Sequence, residues 1–226
     1  MTNLFSIFDP FVMGLGLNWV SALLVSGFLL PGFWVGSSQI SVLMNSGLSA
    51  FEKSLNLVFM PRVTPGVSFI GVGLFIFLLF NNSLGLLPFV FTASSHLMFT
   101  LGLALSIWLG TLLWGAVMNT SVFLAHFVPS GSPLVLGPFM VMIEIISNLI
   151  RPITLSVRLM ANMTSGHLLL HLLGGAGYNL GFGGSFIYLS SIALMLLEMG
   201  VAIIQAYVFV LLLSLYISEV NFWKSS

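Results

Sequence analysis

Apolar residues in this chain fall into long blocks. Residues 15–35, 67–91 and 97–118 are nearly continuous apolar runs. Runs of about 18 or more are long enough to cross the ~30 Å hydrocarbon layer as helices. Residues 37–60 read differently. Ser41, Asn45, Ser49, Glu52 and Asn56 recur at helical spacing, opposite an apolar side that includes Leu48, Phe51, Leu55 and Phe59. That pattern predicts an amphipathic helix lying on a membrane surface, ended by Pro61 and Pro65. The last third predicts two long helices, 137–173 and 185–220, joined by the glycine-rich stretch 174–184. Helices of about 36 residues extend roughly 54 Å, so spanning ~30 Å of lipid requires a tilt of roughly 55°. The expected fold is all-α and polytopic, a single unit over 1–226. It has about five membrane-embedded helices plus one surface helix. Residues 67–118 form one helical hairpin and 137–220 a second, strongly tilted one.

Composition narrows this further. The chain is 58% hydrophobic and 4% charged, and no Asp, Glu, Lys or Arg lies between Val63 and Ile143. A soluble domain could not hide such a run. A formal net charge of zero leaves no basic stripe for nucleic acid. Cysteine is absent, which excludes disulfides, thiolate metal sites and thiol catalysis. The first ten residues hold an acid and no base, unlike a cleavable targeting peptide. Lys53, Arg62 and Lys224 place their segments on the inner side, with the N-terminus outside. Gly71, Gly73 and Gly85 are expected at close helix contacts. Pro152 is expected to free the Asn148 carbonyl and bend its helix.

The remaining polar chemistry gathers on the last two helices. Glu144, Arg151 and Arg158 are spaced by seven residues, which nearly repeats one helical direction. Asn148 and Asn162 lie within one step of that stripe, and His167 lies about 180° away from Arg158. On the final helix Glu198 and Gln205 share a face, with Glu219 near the inner end. His167 and Glu198 form an outer titratable cluster, and Glu144 and Glu219 an inner one. Arg158 lies between them. It costs roughly 2.5–3.5 kcal/mol in lipid and does not lose its proton. Two proton paths kept apart by a fixed cation need a mobile acid from a partner to connect them.

The segment Thr154-Leu-Ser-Val-Arg158-Leu-Met-Ala-Asn-Met163, the approach Pro138 to Glu144 with Ile150-Arg-Pro-Ile-Thr-Leu155, and Gln205-Ala-Tyr-Val-Phe209 together resemble subunit a of the F-type ATP synthases. The resemblance runs from Phe8-Asp-Pro to Ser218-Glu-Val-Asn221. The placing of His167 and Glu198 resembles the mitochondrial type, since bacterial members tend to carry the two swapped. The resemblance implies a multi-pass protein of the mitochondrial inner membrane. It implies a ring of c subunits as partner, each with a mid-membrane carboxyl facing Arg158, and contacts with the peripheral stalk and other membrane-sector subunits. His167 and Glu198 would line an outer half-channel, and Glu144 and Glu219 an inner one. Asn162 and Gln205 would support the arginine by hydrogen bonds. No cofactor or metal is implied, and the chain itself would carry no catalytic site.

Other readings stay open at this level. A stand-alone proton antiporter would show inverted repeats, and no internal symmetry is visible. A structural subunit of a respiratory complex would not need the aligned polar residues. His167 and His171 at i, i+4 could hold a haem or metal, but the final helix offers no histidine opposite. Arg151 has a structural reading, as an ion pair with Glu144 or a headgroup contact. The sequence assigns no role to His96, His126 or His171.

Overall fold

The computed structural model describes residues 8–11, 16–22, 27, 39–58, 65–87, 90–118, 120–121, 125, 127–128, 136–179 and 184–222. Five long helices carry the fold: α1 (Gln39–Val58), α2 (Pro65–Gly85), α3 (Leu97–Met118), α4 (Gly137–Asn179) and α5 (Gly184–Phe222). Short 3-10 turns stand at Leu17–Trp19 and Ala93–Ser95. No strand occurs among the described residues, and the architecture is all-α and polytopic. Four helices are long and apolar enough to cross a membrane: Gly66–Gly85, Leu97–Val117, Gly137–Gly175 and Phe186–Ser218. The expected first span, 15–35, lies largely outside the described residues, as does most of the loop 119–133.

Two boundaries differ from the sequence reading. The run 67–91 is helical only to Gly85. The Leu87 N–H closes a turn on the Leu84 carbonyl at 3.1 Å, and Pro88 disfavours helical backbone just before it. Residues 92–95 are then buried, with Thr92 Oγ1 donating to Ser95 Oγ at 2.9 Å. The second difference is in α4, which continues past Leu173 to Asn179. Its glycines there cost about 1 kcal/mol each relative to alanine, too little to stop a helix already propagating.

The α4 and α5 helices pack antiparallel. Arg151 meets Tyr216, Asn162 meets Gln205, and Gly166 meets Glu198, so numbers rise on one helix as they fall on the other. The core sits around this pair. Leu155 and Leu159 of α4 join Ala206, Phe209, Val210 and Leu213 of α5, with Leu78 of α2, Ala104 of α3 and Leu55 of α1. Lipid offers apolar surface no penalty, so close packing of small residues holds such helices together. Ser156 and Ser214 illustrate this: both are fully buried. Their hydroxyls donate to the Ile153 carbonyl at 2.9 Å and the Leu211 carbonyl at 2.7 Å, so no polar group is left over.

The amphipathic α1 lies against α2 and α5. Phe51 stacks on Phe75 with ring centroids 4.2 Å apart, and Leu55 is buried. A Cβ at Gly71 would stand 3.2 Å from Leu55 Cδ1, so this glycine does serve a close contact. Gly85 does too, with Thr92 Cγ2 at 3.0 Å. Gly73 does not: nothing lies within 4 Å, because it faces outward. Contacts at Gly71 and Val210 thus belong to one end of the molecule, and those at Gly85 and Gly166 to the other.

Candidate functional site

Between α4 and α5 lies a cavity of about 210 Å³. Its polar lining comes from three helices: Asn82 of α2, Asn162 and Ser165 of α4, and Glu198 and Gln205 of α5. Glu198 and Gln205 do share a face here, as their spacing predicts. The Glu198 carboxylate rests against Gly166. A Cβ at that position would stand 2.6 Å from its Cδ, 2.7 Å from Oε1 and 3.0 Å from Oε2. Only glycine leaves the carboxylate this place. Both Glu198 oxygens are buried and make no hydrogen bond among the described residues.

Further along the same cavity, Asn162 Nδ2 donates to Gln205 Oε1 at 3.2 Å. This joins two residues that the sequence reading put at one site. Gln205 is 6% exposed, and its Nε2 finds no acceptor among the described residues. Asn82 is 1% exposed; its Nδ2 reaches the Ala202 carbonyl at 3.5 Å, and its Oδ1 has no donor among the described residues. Buried polar atoms are nearly always satisfied by protein or water. A water needs about 10–15 Å³ of such space and two to four polar partners, so this cavity has room for several. Orphan donors and acceptors around a water-sized volume, ending at a carboxylate, are what a proton relay requires.

His167 follows Gly166 but turns to the neighbouring face of α4. Its ring lies beside the Gly85 backbone, and the Phe8 ring stands edge-on to it, centroids 6.4 Å apart. Its Nε2 is buried and makes no hydrogen bond among the described residues. His171, one turn on, is exposed, so the two histidines do not form a pair facing one ligand. No group of three or more His, Cys, Asp or Glu suited to a metal is found among the described residues.

Arg158 lies one helical turn, about 6 Å, from Asn162. Its side chain is exposed, on the outside of the hairpin beside exposed Thr154 and Val157. The orphan oxygens of Glu198 show that this acid does not neutralise it. Arg151 behaves otherwise. Its guanidinium carbon sits 5.2 Å from the centroid of the Tyr216 ring, a cation–π contact across the hairpin. Glu144 and Asn148 are half-buried, and neither lines the cavity. The side chain of Glu219 lies outside the described residues, as does His126. The inner pair Glu144 and Glu219 is therefore not brought together by anything described.

His96 sits near the His167 end, between Trp19 and Phe91 at centroid distances of 5.2 and 5.1 Å. Burial pushes its imidazole below the ordinary histidine range, partly opposed by a hydrogen bond with the Phe8 backbone. The sequence reading missed two residues of the site. Asn82 had a signal, the pair Asn81-Asn82 inside an otherwise apolar span. Gly166 had none, because its need for a missing Cβ is set by a side chain on another helix.

The chain is similar over nearly its whole length to known proteins. "ATP synthase subunit a" of Drosophila mauritiana is 48% identical over 223 residues, covering 98% of this chain and 100% of the relative. The protein of the same name from Artemia franciscana is 48% identical over 221 residues, covering 97% and 100%. That of Anopheles gambiae is 47% identical over 229 residues, covering 98% and 100%. The family model described as "ATP synthase A chain" matches residues 15–218, which include every cavity residue above, and the chain belongs to that family.

Proposed function

We propose that this chain is the proton-translocating stator subunit of an F-type ATP synthase, working in the mitochondrial inner membrane against a ring of c subunits. The observation that carries the reading is Arg158, a permanent cation facing outward from a membrane hairpin, one turn from a cavity of orphan polar groups. A guanidinium so placed needs a counter-group from outside the chain. A ring carboxyl arriving at Arg158 gives up its proton, because the nearby cation favours the ionised form.

The outer route then runs from His167 and Glu198 through the cavity, past Asn82, Gln205 and Asn162, to the ring. The inner route begins beyond Arg158 and uses Glu144 and Glu219. A proton crossing directly between them would dissipate about 2.3 kcal/mol per 100 mV, and Arg158 repels it. The hairpin helices, 43 and 39 residues long, would reach roughly 64 and 58 Å, so they lie strongly tilted in ~30 Å of lipid. ATP chemistry belongs to the soluble head, and the chain acts without a catalytic site of its own. Peripheral-stalk and other membrane-sector subunits hold it against the ring's torque.

Arg158→Ala in the assembled complex tests this. Proton-driven ATP synthesis should be lost while the complex still assembles. Arg158→Lys should fail or nearly so, since an ammonium is compact, strongly hydrated and able to lose its proton. Synthesis at the normal rate in Arg158→Ala would end the proposal.

A further inference from the structure

The outer route proposed above uses His167 and Glu198, yet the two do not share a space. Glu198 lines the cavity and His167 does not. His167 Nε2 and both Glu198 oxygens are buried without a hydrogen-bond partner among the described residues, so neither group bonds the other. Helical geometry identifies the side chain at the border. Successive residues turn by about 100°. Around α4, with Gly166 as zero, Leu159 lies at about 20°, Met163 at about 60° and His167 at about 100°. Leu159, Met163 and Gly166 all line the cavity. Met163 is therefore the last lining residue of α4 on the side toward His167, and it stands one turn from that histidine.

Met163 is 6% exposed. Its Cε reaches α2, ending 3.6 Å from where a Cβ would stand on Gly85. The Gly85 backbone also lies beside the His167 ring. The thioether thus runs from α4 to α2 along the edge of the cavity nearest the imidazole. It has no proton to pass on, and its sulfur is only a weak acceptor. Water can join the two orphan groups only where this side chain gives way. Methionine is suited to that, being unbranched with three rotatable bonds.

We propose that Met163 is a movable partition in the outer route, separating His167 from the cavity in this structure and swinging aside to let water join His167 to Glu198. This rests on the outer route through these two residues. With the partition open, the His167 imidazolium gives its N–H proton to the bridging water. That water gives one of its own protons to a Glu198 carboxylate oxygen, leaving a neutral imidazole and a carboxylic acid. The return of the side chain breaks the link.

The test compares variants of the assembled complex in lipid vesicles, read as proton-driven ATP synthesis and as ATP-driven proton pumping. Met163→Leu conserves volume and apolar character, so the complex should assemble. Its branched, shorter side chain swings less freely, and proton flow should slow about fivefold in both directions, the scale of forcing a side chain off its rotamer. Met163→Ala removes the partition and leaves room for water, so flow should match or exceed that of the unaltered chain. A role in packing alone predicts the reverse order, because truncation harms a core more than a volume-conserving swap. Should Met163→Ala not assemble, Met163→Gln takes its place. It is unbranched, of similar length and able to hold water, and it too should flow at the normal rate or faster. Normal flow in Met163→Leu would overturn the partition, and so would Met163→Ala or Met163→Gln flowing more slowly than Met163→Leu. His167→Leu keeps the two ideas separate. Normal flow there overturns the outer route and the partition together, whereas a block there with normal flow in Met163→Leu overturns the partition and leaves the route intact.

Discussion

The α4–α5 interface encloses very different spaces at its two ends. Near Glu198 the helices leave about 210 Å³, lined in part by Asn82, Asn162 and Gln205. Near Tyr216 they leave about 10 Å³, walled by Pro152, Leu155, Leu213 and Tyr216 of the hairpin with Trp108 of α3. The helices are the same, so the difference comes from side-chain size at the contact. Gly166 of α4 and Ala202 of α5 border the larger space, whereas Pro152 and Leu155 of α4 with Leu213 and Tyr216 of α5 wall the smaller one. A space of about 10 Å³ is at the limit for one water, and its largely apolar walls offer little to hold one. Of these two spaces, only the one near Glu198 has both the room and the polar lining to hold several waters. On the proposed function, the second route opens at the surface shared with the ring, where Arg158 and the half-buried Glu144 face outward or nearly so.

The largest expected effect is at the wet end. Glu198→Leu should slow proton flow in both directions about 100-fold, the usual scale for removing a proton-transferring group, without uncoupling it. Conduction near normal would mean that the cavity is not the path. Gly166→Ala should come next. Its methyl group would meet the carboxylate, and displacement by a fraction of an ångström should cut proton-driven synthesis about tenfold in a complex that still assembles. An unaffected rate would show that the position of Glu198 does not matter. Asn82→Leu should have a milder effect, about threefold on conduction, because it removes one orphan acceptor among several. If it matched Glu198→Leu instead, Asn82 would be an obligatory carrier.

The smallest effect is predicted at the dry end. Tyr216→Leu removes the cation–π contact with Arg151 and should lower stability by about 1 kcal/mol, read as thermal loss of the assembled complex. Proton conduction below that temperature should not change. A conduction defect as large as that of Gly166→Ala would erase the distinction between the two ends.

The sequence exposed some of this and hid the rest for physical reasons. The bounds of α3, Leu97–Met118, match the apolar run residue for residue, because polar segments flank it. Glu198 and Gln205 were legible as one face because helical periodicity is a local property. That Gln205 and Asn162 serve one site is implied by the family resemblance, and a hydrogen bond joins the two across the hairpin. Asn82 was passed over because a span apolar all round gives no sign of which face turns inward. The grouping of Glu144 with Glu219 rests on depth along the helices and on the family resemblance. Depth by itself does not bring side chains together, and the side chain of Glu219 lies outside the described residues.

The crossed pairs Arg151–Tyr216, Asn162–Gln205 and Gly166–Glu198 form the rungs of a ladder. Each rung fixes the phase of one helix against the other. A single residue inserted between rungs would rotate everything beyond it by about 100° and shift it 1.5 Å. Glu198 would then point away from the notch at Gly166, although no side chain had been altered. The segment that joins the two helices in sequence lies beyond the last rung, so a change of length there leaves every rung in phase. Length should therefore vary freely there across relatives and hardly at all from 151 to 166 or from 198 to 216, so that this part of the chain is held by its count as much as by its chemistry.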